Sequence, residues 1–156
     1  MKIFKLSKQQ RVNASMEKVW DFFSSPENLD EITPDNMGFK IITPKPLPKM
    51  YEGQVIEYKV APLLGIPLYW KTLITEVKDG AYFIDEQVKG PYKLWRHKHI
   101  FEDKGDYVLM KDELDYALPL GFLGTIAKHL FVGARIEEIF AYRFDKVEEI
   151  FNNSSK

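Results

Sequence analysis

The sequence predicts an α+β fold: an antiparallel sheet of about seven strands and a long C-terminal helix, with two short helices after the first strand. Three observations carry this. Strand-like stretches follow one another from Phe39 to Tyr116 with no helix between them, the rhythm of an antiparallel meander. From 132 to 152, Val132, Ile136, Ile139, Phe140, Phe144, Val147 and Phe151 track one helical face, and Glu137, Glu138, Asp145, Lys146, Glu148 and Glu149 cover the other. Between two alternating segments, Lys104-Gly105 sits flanked by Asp103 and Asp106, the residues of a tight hairpin turn.

Each element has its own signal. Residues 2–12 alternate Ile3, Lys5 and Ser7 against Phe4 and Leu6, a first strand. Asn13 and Ser15 are helix-capping types, and Met16, Val19, Trp20 and Phe23 then recur at i, i+3, i+4 and i+7. Pro26 and Asn28 interrupt this helix, and a second short one around Leu29–Ile32 ends at Thr33-Pro34. Strands are expected at 39–43, 54–60, 68–78 and 82–89. If 54–60 pairs with 68–74, Tyr58 faces Trp70 and Ile56 faces Thr72. Beyond Pro119, residues 120–130 read as a short helix or loop, and the last helix runs from about 132 for roughly 20 residues, or about 30 Å.

The hairpin from Tyr92 to Tyr116 is the most informative stretch. A two-residue loop at Lys104-Gly105 pairs Phe101 with Val108, His99 with Met110, His97 with Asp112 and Trp95 with Leu114. One face then carries Trp95, His97, His99, Phe101, Val108, Met110, Asp112, Leu114 and Tyr116; the other carries Arg96, Lys98, Lys111, Glu113 and Asp115. An apolar face set with a few titratable groups is the composition of a small-molecule pocket.

The chain of 156 residues is expected to form one domain over 1–152, with 153–156 a disordered polar tail. A net charge of −1 offers no global attraction to nucleic acid or an anionic membrane. The absence of cysteine removes disulfides and thiolate chemistry. The N-terminus carries no apolar signal core, and the most apolar run, Ala117–Ala127, is too short to span a bilayer. A cytoplasmic protein without nucleic-acid partner or integral membrane segment is expected; oligomeric state is not legible.

His97 and Asp112 are the sharpest pair. A carboxylate beside an imidazole sets its tautomer, and the pair reads as a structural hydrogen bond, a ligand anchor or an acid–base couple. His97-x-His99 with Asp112 would also make three metal ligands, but no fourth ligand or outer partner is apparent, so no metal or other cofactor is expected. Tyr58, Trp70, Trp95, Phe101, Phe131 and Phe140 either line a cavity or fill a core. Lys93, Arg96 and Lys98 read as a solvated face. Asp85 is open: a tight Gly90-Pro91 turn places it by Arg96 on the wet face, a bulge turns it toward His97. Gly121, Gly124 and Gly133 read as the approach to the last helix and a close packing point on it. There is no phosphate-cradling loop, zinc-protease motif or nucleophile elbow.

A set of short motifs runs through the chain in order: Val19-Trp20, Asn28-Leu29 and Pro34; Phe83-x-Asp85-x-Gln87; Gly90-Pro91-Tyr92; Trp95-x-His97-x-His99-x-Phe101; Asp112 to Tyr116 with Pro119-x-Gly121; and Phe140-Ala141-Tyr142-Arg143. Over essentially its whole length the sequence resembles the SRPBCC superfamily, which includes START domains, pollen-allergen-type carriers and polyketide cyclases. It is most similar to the small bacterial ligand-binding members. The resemblance implies the helix-grip fold, a curved sheet wrapped around the C-terminal helix with an elongated cavity between them. It implies no single activity.

The expected function is binding, transport or sensing of a hydrophobic small molecule such as a lipid, polyketide or isoprenoid-like compound. Trp95, Phe101, Leu114 and helix aromatics would supply apolar contact, and His97, His99, Asp112 and Tyr116 would hold its polar end. The wider candidate wall adds Tyr58, Trp70, Met110, Phe131 and Phe140. One alternative is a cyclase, aromatase or dehydratase with His97 as base and Asp112 as its orienter. The other is a protein–protein module with a filled cavity. A void of ~300–1,000 Å³ is the expected size of such a site.

Overall fold

The computed structural model describes residues 1–61, 65–119 and 125–153, with 125–130 described by their backbone alone. Seven strands form one sheet: β1 (Phe4–Val12), β2 (Lys40–Ile41), β3 (Val55–Val60), β4 (Leu68–Lys78), β5 (Tyr82–Lys89), β6 (Leu94–Asp103) and β7 (Val108–Ala117). Every neighbouring pair is antiparallel, in the order β1-β7-β6-β5-β4-β3-β2. β1 and β2 lie at opposite edges, so the segment between them must cross the sheet. It does so through α1 (Met16–Phe23), whose N-terminus Ser15 caps by accepting from Lys18 N, and through 3₁₀ turns at Pro26–Ile32 and Asp35–Met37. The last long helix, α2 (Thr125–Val147), has 23 residues and is about 35 Å long. This is the helix-grip architecture.

Several expected boundaries hold: β4 and β5 span 68–78 and 82–89, and Tyr58 pairs with Trp70 and Ile56 with Thr72. Others move. The second short helix is a 3₁₀ turn, and a further such turn follows it. β2 stops at Ile41 because the amides of Ile42 and Thr43 both converge on Glu57 O, which ends the ladder. α2 begins at Thr125 instead of near 132, so most of the expected lead-in belongs to the helix itself. It passes into a π-helical turn, Glu148–Asn152, where Asn152 accepts from Asn13 N and donates to Arg11 O, tying the helix end to β1. Phe144 is exposed, contrary to the expected stripe; Val132, Ile136, Phe140 and Val147 are buried. Gly121, Gly124 and the tail 154–156 lie outside the described residues. At Gly133 an added Cβ would meet the Tyr116 hydroxyl at 3.6 Å, ordinary contact, so packing there does not demand glycine.

The hairpin register is shifted by two. Asp103 pairs with Val108, Phe101 with Met110, His99 with Asp112, His97 with Leu114 and Trp95 with Tyr116. The loop is residues 104–107, closed by Lys104 N to Tyr107 O at 2.9 Å, with the Asp103 carboxylate accepting from Gly105 N at 3.0 Å. Like-charge repulsion explains the shift. The two-residue loop would set Lys98 against Lys111 and Asp103 against Asp106; the observed one sets Lys98 against Glu113 and Asp103 against Val108, with Arg96 facing an acidic residue in either register. A two-residue slip preserves the side-chain faces, so the inner face is the one expected.

The β5–β6 turn settles Asp85. Gln87 brackets Tyr92, accepting from Tyr92 N at 3.0 Å and donating to Tyr92 O at 2.7 Å. This wider turn pairs Asp85 with His97 instead of Arg96. A Cβ at Gly90 would lie 2.5 Å from Gln87 Oε1 and 2.7 Å from its Cδ. Gly90→Ala therefore expels the bracketing amide and is expected to cost about 1–3 kcal/mol in urea denaturation. In a Gln87→Ala background the same substitution should cost almost nothing, since the clashing group is gone.

The apolar interior falls into three clusters. Val12, Val19, Phe83, Phe101, Val108, Met110 and Val147 pack at one end, under α1. Leu114, Tyr116, Val132, Ile136 and Phe140 pack between β7 and α2. Met37, Val60 and Trp70 form the third. No helix of the described residues is long and apolar enough to cross a membrane.

Candidate functional site

Three adjacent strands bring four titratable side chains to the inner face. Strand alternation puts His97 and His99 of β6 on the same side. Pairing sets Asp85 of β5 opposite His97, and Asp112 of β7 opposite His99. The hydrogen bonds run along the diagonals: His97 Nε2 to Asp112 Oδ1 at 2.8 Å and His99 Nε2 to Asp85 Oδ2 at 2.6 Å. The directly opposed atoms are farther apart, His97 Nδ1 to Asp85 Oδ2 at 3.9 Å and His99 Nδ1 to Asp112 Oδ1 at 3.6 Å. The imidazole centroids are 3.7 Å apart; Phe83 stacks on His99 and Phe140 meets His97 edge-on. His97 and Asp112 are buried, at 4% and 6% exposure.

Burial, the hydrogen bonds and one further cation set the electrostatics. Burial works to raise Asp112, but the hydrogen bond from His97 and the charges of His97, His99 and Arg143 hold it down to about 2. Asp85 is likewise lowered: burial opposes, and the His99 hydrogen bond with the charges of His99, His97 and Arg143 prevails. His99 is lowered by burial and then by His97, against the pull of Asp85 and Asp112. At neutral pH both carboxylates are thus ionised and His99 is neutral.

These shifts give two acid-sensitive windows in metal-chelating buffer. The His99 pKa lies below its unfolded value, so as pH falls through about 6.5 the unfolded chain takes a proton first and stability declines. The Asp112 pKa is also depressed; its contribution, roughly 2 kcal/mol, is present above pH ~4 and is lost as pH falls toward 2. Asp85, His97 and Arg143 face these groups from β5, β6 and α2. Urea denaturation across pH should show the upper decline vanish in His99→Gln and the lower one shrink in Asp112→Asn, where Asp85 still supplies a part of it; an unchanged profile in both variants would contradict the assignment.

Between sheet and helix lies a cavity of about 150 Å³. It is smaller than the expected range, because rings fill much of the space. Its sheet wall includes Tyr58, Trp70, Thr72, Asp85, Trp95, His97 and His99; Ile136, Ile139, Phe140 and Arg143 face it from α2. Tyr58 stacks on Trp70 at 5.9 Å, and Trp95 meets Trp70 edge-on at 5.2 Å. Burial, then Asp85, pushes the Tyr58 phenol up, so it stays neutral, bonded to Thr72 Oγ1 at 2.9 Å. Two N–H groups of the wall, Trp70 Nε1 and Arg143 Nε, are buried without a hydrogen-bond partner among the described residues.

Of the residues named from sequence, Tyr58, Trp70, Trp95, His97, His99 and Phe140 line this cavity. Met110 and Asp112 line a second cleft of about 320 Å³ between β1, β7 and α2, whose wall also includes Phe140 and Arg143. Phe101 lies in the core under α1, and Leu114 and Tyr116 pack against Val132, Ile136 and Phe140. Phe131 is 54% exposed and outside the cavity wall. Sequence reasoning left Asp85 open and passed over Arg143 as a site residue. Arg143 sits at i+7 from Ile136 and i+3 from Phe140, on the apolar stripe, and a lone cation there was the signal to read.

No protein-family model matches the sequence, and no curated protein sequence matches it. Solved structures do. The chain is similar to the Zhui aromatase/cyclase from a Streptomyces species, with TM-score 0.77 and 11% identity, covering 99% of this chain and 97% of that one. It is similar to a START superfamily protein from Mycobacterium smegmatis, with TM-score 0.65 and 18% identity, covering 94% and 98%. Norcoclaurine synthase from Thalictrum flavum matches with TM-score 0.66 and 14% identity, covering 99% and 97%. At these identities the likeness establishes the fold alone, the helix-grip arrangement of a curved sheet around a C-terminal helix.

Proposed function

We propose that the protein binds a compact hydrophobic molecule, with at least one ring and one oxygen acceptor, between the sheet and α2. The observation that carries this is an aromatic cavity whose wall contains two unpartnered donors, Trp70 Nε1 and Arg143 Nε. A buried donor without an acceptor costs about 1–3 kcal/mol, which a ligand carbonyl or hydroxyl oxygen would recover. A void of about 150 Å³ matches the size that accommodates a benzene-like ring, so an aromatic polyketide fragment or small isoprenoid fits better than a whole lipid chain.

Binding of an environment-sensitive naphthalene dye, read by its emission and by quenching of Trp70 and Trp95, tests this. Val60→Phe narrows the cavity from β3 and should weaken dye binding at least tenfold while the far-UV spectrum stays native. Unchanged affinity in this variant would place the dye elsewhere and remove the reading.

An enzymatic reading has one observation in its favour. His97 and His99 both line the cavity, each held by a carboxylate, the arrangement of an oriented general base. His97 is the better placed proton acceptor: Asp112 orients it through Nε2, and Nδ1 is left on the side of the cavity residue Asp85. Turnover of a bound compound that is lost in His97→Gln with binding retained would support catalysis over carriage.

A further inference from the structure

We propose that Asp85, His97 and His99 form a binding site for one divalent transition-metal ion, with Asp112 orienting both imidazoles from outside the coordination shell. One ligand atom from each of the three residues lies within 4.8 Å of the others. Asp85 Oδ2 is 2.6 Å from His99 Nε2 and 3.9 Å from His97 Nδ1. Metal bonds of ~2.0–2.1 Å in a tetrahedral site hold ligand atoms about 3.3 Å apart, so a carboxylate movement of about 0.6 Å equalises the two separations.

The outer shell is what selects these atoms. If His97 Nδ1 and His99 Nε2 take the metal, the nitrogens left over are His97 Nε2 and His99 Nδ1. Both face one oxygen, Asp112 Oδ1, at 2.8 and 3.6 Å. A single carboxylate then accepts from both metal-bound imidazoles, setting their tautomers and raising their basicity. His99 moves its proton from Nε2 to Nδ1 to do so, exchanging its bond to Asp85 for one to Asp112. A carboxylate beyond two ligating histidines is the outer partner that the sequence did not disclose.

Charge favours a cation at the same place. Two carboxylates, Asp85 and Asp112, meet the two imidazoles, and Arg143 is the one Lys or Arg among the described residues lining the aromatic cavity. Two nitrogens and one carboxylate oxygen suit zinc, cobalt or ferrous iron and do not suit magnesium or calcium, which take oxygen ligands. Asp85, His97 and His99 all line the apolar cavity, whereas Asp112 lines only the second cleft, so the open coordination position would face the proposed ligand. The metal site stands without that ligand.

The test uses the full chain, stripped with chelator and shown to be folded by circular dichroism, then titrated with Co²⁺ and Zn²⁺. One equivalent of Co²⁺ should bind with the intense visible absorption of a four- or five-coordinate ion, displaced by Zn²⁺. Asp85→Asn and the double variant His97→Gln/His99→Gln should abolish the band. Asp112→Asn should keep the stoichiometry and weaken affinity 10–100-fold, separating an orienting residue from a ligand. Folded wild-type protein that takes up no Co²⁺, or a double histidine variant that binds it as tightly, overturns the site, leaving four groups that share protons alone. Equal losses in Asp85→Asn and Asp112→Asn would overturn the division of roles. The naphthalene dye, titrated into the metal-free protein, reads the cavity separately, so each claim can fail alone.

Discussion

Phe101→Ala is expected to lower the free energy of unfolding by about 3–5 kcal/mol, the loss of a large buried ring plus the void it leaves. Phe101 is 3% exposed and surrounded by rings: Trp20 edge-on at 5.5 Å, Phe23 at 5.6 Å and Phe83 at 6.2 Å. Two come from α1 and one from β5, so truncation loosens the contact between α1 and the sheet and cannot be relaxed by one side chain. Guanidinium denaturation measures the loss. Dye affinity under native conditions should be almost unchanged, because Phe101 lies behind the cavity wall. A destabilisation below about 1 kcal/mol, or a large loss of dye binding with stability intact, would show that Phe101 faces ligand instead of core.

The second large effect concerns the buried His97–Asp112 hydrogen bond. His97→Leu removes the 2.8 Å partner of Asp112 and leaves an ionised carboxylate buried beside an apolar group. The expected cost is about 3–5 kcal/mol at pH 7 in chelator, and the Asp112 pKa rises because its leading stabilising contact is gone. The cost should shrink as pH falls and the carboxyl takes a proton. His97→Leu/Asp112→Leu should lose much less than the sum of the single variants, since replacing both members removes the stranded charge. Additive losses would mean that the hydrogen bond contributes nothing beyond the packing of each residue.

The same residues show how far sequence reasoning reaches. Alternation along 94–103 and 108–117 needs only the two-residue period of a strand, so the inner face was readable even though the pairing was not. A charge count argues for the observed register: Lys98 against Lys111 and Asp103 against Asp106 are repulsive, and sliding by two exchanges them for Lys98–Glu113 and Asp103–Val108. The extent of α2 was read short because residues 120–130 lack the charged face that marks the rest of the helix.

By itself, then, the chain's pattern determined an antiparallel meander, a long closing helix, and two histidines on the inner face of one strand. These follow from local periodicity and turn chemistry, which any short window of residues displays. Only the tertiary structure decided that Asp85 joins them, that Asp112 stands behind both, and that Arg143 replaces Phe144 on the inward stripe. Those outcomes depend on a side-chain bracket at one turn, on diagonal reach across three strands, and on the rotation of a helix against the sheet. Such distances are set by packing between segments far apart in the chain, and no periodicity within a segment contains them.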